Sequence, residues 1–255
     1  MGRLPRQAVF RSFDAHVNVS VSARTRGRTG GNDAMTPDRL CLHSYWRSSA
    51  AYRVRIGLNL KGLPYDIAPV HLVRDGGEQH RPEYDQVNPQ HFVPVLQHGQ
   101  RLLRQSLAIL EYLDEMWPAP ALLPATARDR ARVRALAQLI ACDVHPLNNL
   151  RVMQYLEQDW GVPQAERDVW TRHWMQQGFA AFEALLQHHP STGEFCDGVA
   201  PGIADCCLVP QVYNARRFGV DLTPYPTIMA IEQACLALPA FDAARPERQP
   251  DAPKS

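Results

Sequence analysis

A small α/β domain followed by an all-helical domain is the fold class that the sequence predicts, and three observations carry it. Short apolar-alternating segments suited to strands fall between residues 40 and 103. Proline punctuation at Pro118, Pro120 and Pro124 closes that region. Beyond it the Leu, Val, Ile, Ala and Phe residues recur at helical spacing, with no internal repeat. The boundaries read from these shifts are 39–120 for the first domain and 125–255 for the second, after an extension over 1–38.

Leu40, Leu42 and Ser44-Tyr45 alternate as a strand. Ser48-Ser49 opens an apolar helical run through Val54, Ile56, Leu58 and Leu60, and Lys61-Gly62 closes it, a hydroxyl at the start and glycine at the end as capping requires. Tyr65 to Val70 is a second strand, which makes a parallel β-α-β unit. The polar loop Asp75 to Gln79 and Asn88-Pro89 lead to a strand Val93 to Leu96, a His98-Gly99 turn and a return arm Arg101 to Leu103. Ser106 caps a helix that runs to Met116 and stops at Trp117-Pro118. Further helices are predicted over about 127–159, 164–188, 203–218 and 227–237.

Residues 1–38 are rich in Arg, Ser and Gly and lack an apolar period; Asp14 and Asp33 are the acids before Met35. Such a leader reads as a transit peptide or, the reading favoured here, as a disordered extension or a start placed too early, with Met35 the true beginning. Lys and Arg total 27 against 26 for Asp and Glu, a net charge of +1, so no field draws the chain to nucleic acid. No apolar run approaches the roughly 18–20 residues that cross a bilayer. Six cysteines at 41, 142, 196, 206, 207 and 235 form no C-x-x-C and read as reduced, mostly buried thiols of a cytoplasmic protein. Cys142 and His145 have i, i+3 spacing, but no further ligand pair supports a metal.

Three turns of the first domain are candidate chemistry. Ser48-Ser49 stands at a strand-to-helix turn, where free amides and the helix dipole favour an anion, a thiolate included; taken alone, the pair reads first as an ordinary cap. Val93-Pro94 reads as a cis bond presenting backbone groups to a ligand, or as an edge-strand proline. Gln105-Ser106 begins a helix and suits a carboxylate, or is again only a cap.

The segment Ser44-Tyr45-Trp46-Arg47-Ser48-Ser49-Ala50-Ala51-Tyr52-Arg53-Val54-Arg55-Ile56 resembles the active-site turn of zeta-class glutathione transferases. Lys61-Gly62, Asp75-Gly76-Gly77, Asn88-Pro89, Val93-Pro94 and Gln105-Ser106-Leu107-Ala108-Ile109 follow in that family's order. Asp143 to Arg151, Leu208 to Val212 and Val220 to Pro226 extend the resemblance over about 40–252. It implies the glutathione transferase fold, a thioredoxin-like domain before a helical one, a homodimer, glutathione as cofactor, and a small maleyl keto acid as substrate. The implied activity is cis–trans isomerisation of maleylacetoacetate to fumarylacetoacetate in tyrosine breakdown. Isomerisation of maleylpyruvate, transfer to α-halo acids and a non-catalytic binding role on the same scaffold are the alternatives.

Carried over by position, Ser48 matches the serine at the glutathione sulfur, with Ser49 as its catalytic companion. Ser49, Ala50, Gln79, Val93, Pro94, Gln105, Ser106, His145 and Asn149 complete the implied cofactor contacts. Many members carry Cys where Ala50 stands, so the thiol that adds reversibly to the maleyl double bond must come from glutathione. Gly202 replaces the threonine of the usual capping box with Asp205, which puts that cap in doubt. Arg47, Arg151 and Arg217 are the candidates for holding a dianionic substrate, since arginine's planar fork suits carboxylates. On that reading, Arg151→Ala raises KM for the diacid far more than for glutathione. His145 is expected either to donate to glutathione, to move a proton, or to be a satisfied histidine beside Pro146.

Overall fold

The computed structural model describes residues 39–254, so the extension read over 1–38 lies outside the described residues. β1 (Leu40–Ser44), α1 (Ser49–Leu60) and β2 (Tyr65–Pro69) form the expected β-α-β unit, with β1 and β2 parallel and Leu42 opposite Ile67. β3 (Val95–His98) and β4 (Arg101–Arg104) make the hairpin, and β3 pairs antiparallel with β1, giving the order β2-β1-β3-β4. The strand predicted from Val93 begins at Val95, because a proline offers no N–H to the ladder. The Val93-Pro94 peptide is cis.

Leu42 and Leu96 of the sheet pack with Val54 and Leu58 of α1 and with Ile109 and Leu113 of α3 (Ser106–Met116), all fully buried. Gly57 sets how closely α1 and α3 approach, since a Cβ there would lie 2.2 Å from the Leu110 side chain. Ser106 is not the cap of α3, as the sequence suggested. Gln105 takes the cap position at φ 70, without a side-chain cap bond, and Ser106 is the first helical residue. The polar loop also contains a one-turn helix, α2 (Pro82–Asp85), which was not predicted. Lys61 closes the domain: its ammonium donates to Asp114 Oδ1 and to the Trp117 carbonyl, each at 2.7 Å.

The helical domain holds α4 (Ala127–Gln138), α5 (Leu150–Gln158), α6 (Gln164–Gln187), α7 (Ile203–Arg217), α8 (Pro226–Leu236) and a short α9 (Pro239–Ala243) that the sequence did not suggest. The single helix predicted over 127–159 is broken. After α4 the chain widens into a π-helical stretch, Leu139–Val144, tightens into a 3-10 turn, His145–Asn148, and restarts at α5. Pro146 lacks the N–H that would continue the ladder, and the Asn149 side chain caps α5 by accepting from the Arg151 N–H at 3.2 Å. π-helical turns of this kind redirect side chains, and this one carries Cys142 next to His145.

The doubt over Gly202 resolves at α7. Asp205 accepts from the Gly202 N–H at 2.8 Å and from the Cys196 N–H at 2.9 Å, so the carboxylate half of the cap is made. Glycine has no side chain for the other half. A Cβ at 202 would stand 2.7 Å from the Leu122 carbonyl oxygen, so close backbone approach takes the place of the hydroxyl.

Candidate active site

The twelve-residue α1 starts where β1 ends, and its first turn is built for an anion. Ser48 caps it: Oγ accepts from the Ala51 N–H at 3.2 Å, and the first intrahelical bond runs from Tyr52 N–H to the Ser48 carbonyl at 2.9 Å. The amides of Ser49 and Ala50 precede that bond and lie at the positive end of the helix dipole. Because Oγ uses a lone pair on Ala51, its hydroxyl proton stays available for donation outward.

Two arginines inside α1 organise the surroundings, and the sequence reading gave neither a role. Their signal was there: Arg53 and Arg55 are charged residues in an otherwise apolar helix, two positions apart and so on different faces. Arg55 is fully buried and holds the turn before the cap, donating to Ser44 Oγ at 3.1 Å, to the Trp46 carbonyl at 3.0 Å and to the Ala244 carbonyl at 3.0 Å. Burial pushes its pKa down to about 10. Arg53, 2% exposed, donates from Nη1 to Ser106 Oγ at 3.2 Å, while its Nε and Nη2 find no partner. Burial lowers its pKa, and among the described residues no carboxylate pairs with it. A buried cation in that condition asks for an anion.

Two cavities meet at this helix start. The larger, about 530 Å³, is lined by Ser48, Ala50, Arg53, Gln79, Val93, Pro94, Gln105, Ser106, His145, Asn149 and Arg151. The smaller, about 330 Å³, is lined by Arg47, Ser48, Ser49, His145, Asn149 and Arg217. Ser48, His145 and Asn149 therefore face both. Of the three arginines that are candidates for holding the substrate, Arg47 and Arg217 share the smaller cavity. Arg151 lines the larger and stacks on Phe92, its guanidinium carbon 4.6 Å from the ring centroid.

Each wall of the larger cavity has a local cause. Gln105 sits in the left-handed region at φ 70, a conformation that costs a non-glycine residue about 1–3 kcal/mol and gathers at functional sites. Its side chain donates to Gln90 Oε1 at 3.0 Å. Buried Gln79 donates to the Leu72 carbonyl at 3.2 Å and leaves its Oε1 without a partner. Tyr84 and Asn88 both donate to the Phe92 carbonyl, at 2.8 and 2.9 Å, and so fix the chain that leads into Val93-Pro94.

His145 is not a cation here. Burial, and secondarily the nearby Arg53 charge, push its pKa down to about 3, so the ring is a neutral donor and acceptor. In the smaller cavity, the pKa of Arg217 is lowered by burial and then by the neighbouring charge of Arg47. Arg217 is steadied by Asn214 Oδ1, at 2.9 Å from its Nη1, and Arg47 stacks on Trp46. The acids of this cavity have other partners: Glu157 pairs with Arg167 at 3.0 Å, and Asp168 accepts from the Gln164 amide at 2.8 Å. Two like charges without an acid between them suit a ligand bearing two carboxylates.

The family model of the glutathione S-transferase N-terminal domain matches residues 47–116. A probable maleylacetoacetate isomerase of Vibrio cholerae is 53% identical over 213 residues, covering 84% of this chain and 98% of that one. A solved holo structure of a bacterial maleylpyruvate isomerase, a glutathione S-transferase of the zeta class, superposes with a TM-score of 0.81 at 48% identity, covering 84% of this chain and all of that one. A maleylacetoacetate isomerase of Anaeromyxobacter dehalogenans, solved with GSH bound in its active site, gives 0.75 at 48% identity, covering 84% and 98%. With the cap at Ser48, the paired cavities and similarity across nearly the full length of these relatives, the chain belongs to the zeta-class glutathione transferase family that includes the maleylacetoacetate and maleylpyruvate isomerases.

Proposed function

We propose that this protein is a glutathione-dependent isomerase that converts maleylacetoacetate to fumarylacetoacetate, with glutathione in the larger cavity and the diacid in the smaller. The observation that carries the reading is Ser48 at the seam, a helix cap that faces both cavities. Glutathione fits the residues present. Its carboxylates and amides offer partners to the buried Arg53 nitrogens and the Gln79 Oε1, which lack them. Bound there, it supplies a thiolate able to add reversibly to the conjugated double bond.

The chain's own residues do the rest. Ser48 would hold the sulfur with a hydrogen bond from its hydroxyl, and the Ser49 and Ala50 amides would add the positive end of the helix dipole, both favouring the thiolate. Gln105, Ser106 and Arg53 would hold the γ-glutamyl end, and Val93 and Pro94 the middle of the tripeptide. His145 and Asn149 close over both ligands from the helical domain, His145 as a neutral donor. Arg47 and Arg217 hold the substrate carboxylates. Arg47, Arg217 and Ser48 line the same cavity, so carboxylates held by the two arginines would place the double bond beside the thiol site, and their field would stabilise charge developing on the keto oxygen.

An ultraviolet assay of maleylacetoacetate and maleylpyruvate, each with and without glutathione, tests the assignment. Thiol-dependent turnover is expected with maleylacetoacetate preferred; a preference for maleylpyruvate would transfer the assignment to that substrate, and turnover without thiol would contradict it. No helix of the described residues is long and apolar enough to cross a membrane. We place the enzyme in the cytoplasm as a homodimer; the six free cysteines suit a reducing compartment.

A further inference from the structure

The mechanism above leaves one nucleophile of the larger cavity unused. Cys142 lines that cavity beside Arg53, Ser106 and His145, projected by the π-helical stretch after α4. It is exposed, whereas Cys41 is half-buried and Cys196, Cys206, Cys207 and Cys235 are buried beyond reach of a solvent reagent. A thiol alone would say little. Here the same wall carries the Arg53 guanidinium, 2% exposed and with two nitrogens unpaired, which calls for an anionic ligand at the same place. Arg53 and Cys142 are close enough to interact electrostatically.

We propose that Cys142 is a thiol–disulfide exchange site, at which glutathione disulfide leaves one glutathionyl group captured in the cofactor's own cavity with a carboxylate on Arg53. The proposal rests on the assignment of that cavity to glutathione. The Cys142 thiolate attacks one sulfur of the disulfide, a new S–S bond forms as the old one breaks, and the second glutathione departs as a thiolate that takes up the proton Cys142 gave to solvent. Cys142 is oxidised and the departing glutathione is reduced, so the electrons balance. The captured group fills the space that free glutathione needs, and the enzyme is switched off until excess thiol reverses the exchange. The protein would thereby respond to the ratio of glutathione disulfide to glutathione.

The experiment treats the full chain with glutathione disulfide, removes the reagent, maps the modified peptide by mass and measures binding of S-methylglutathione. The expected result is one glutathionyl mass on the Cys142 peptide with a matching loss of S-methylglutathione binding, both reversed by dithiothreitol. Saturation with S-methylglutathione beforehand slows the modification, and Cys142→Ala keeps the same binding before and after treatment. Modification at Cys41 alone, no modification, or an adduct at Cys142 that leaves binding intact would each overturn the proposal. Failure of S-methylglutathione to bind the untreated protein would instead overturn the cavity's assignment, and this proposal with it.

Discussion

Arg53 and Ser106 are joined by a hydrogen bond of 3.2 Å between Nη1 and Oγ, which ties α1 to the start of α3 at the wall of the larger cavity. The bond uses one corner of a guanidinium whose other nitrogens are unpaired. Arg53→Met should therefore weaken glutathione binding by about 1.5–3 kcal/mol, the range for hydrogen bonds to charged groups. The ligand-free protein should melt no lower than the parent, because the substitution removes a buried charge without a partner. Calorimetric titration and a thermal melt check the two halves; a large loss of stability without ligand would show that Arg53 serves packing.

Arg47 and Arg217 share one cavity and Arg151 lines the other, so their substitutions should separate. Arg47→Ala and Arg217→Ala should each raise KM for the diacid about 10–100-fold with little change for glutathione. Arg151→Ala should act chiefly on glutathione, the reverse of what the sequence alone suggested. Steady-state kinetics with each ligand varied in turn gives the answer.

His145 makes a prediction about acid. Its pKa lies near 3 in the folded chain against an ordinary 6.5. Between those values the unfolded chain binds a proton that the folded chain refuses, so stability falls as pH drops through this window. His145→Gln should flatten that part of the melting-temperature profile, and activity should show no limb from His145 ionisation near pH 6.5. A parallel acid profile in the variant would mean that the ring is solvated and titrates normally.

Gly202→Thr would restore the hydroxyl common in the family's capping box. It should nonetheless destabilise the protein, by about 1–3 kcal/mol, because the added Cβ meets the Leu122 carbonyl at 2.7 Å. Denaturant unfolding measures it; a gain in stability would show that the Leu122 segment moves aside.

What the sequence disclosed, and what it withheld, follows from where the determinants sit. The β-α-β unit, the hairpin and the cap at Ser48 depend on neighbouring residues, so alternation, Lys61-Gly62 and a hydroxyl before an apolar run announced them. The break at 139–149 did not show, because the apolar period runs on through it while Pro146 and Asn149 reset the backbone. The strained Gln105 hid behind Ser106, whose hydroxyl looks like a cap in one dimension and turns out to meet Arg53 in three. The grouping of Arg47 with Arg217, and the separation of Arg151, depends on packing between domains that no local pattern encodes.

The most direct test of the borrowed thiolate is a titration of glutathione's thiol in complex with the protein, followed by thiolate absorbance, in the parent and in Ser48→Ala. The bound thiol should ionise at lower pH than free glutathione, and the substitution should move that ionisation upward by about one unit or more. A bound thiol that titrates like free glutathione, or identically in the parent and in Ser48→Ala, would contradict the account.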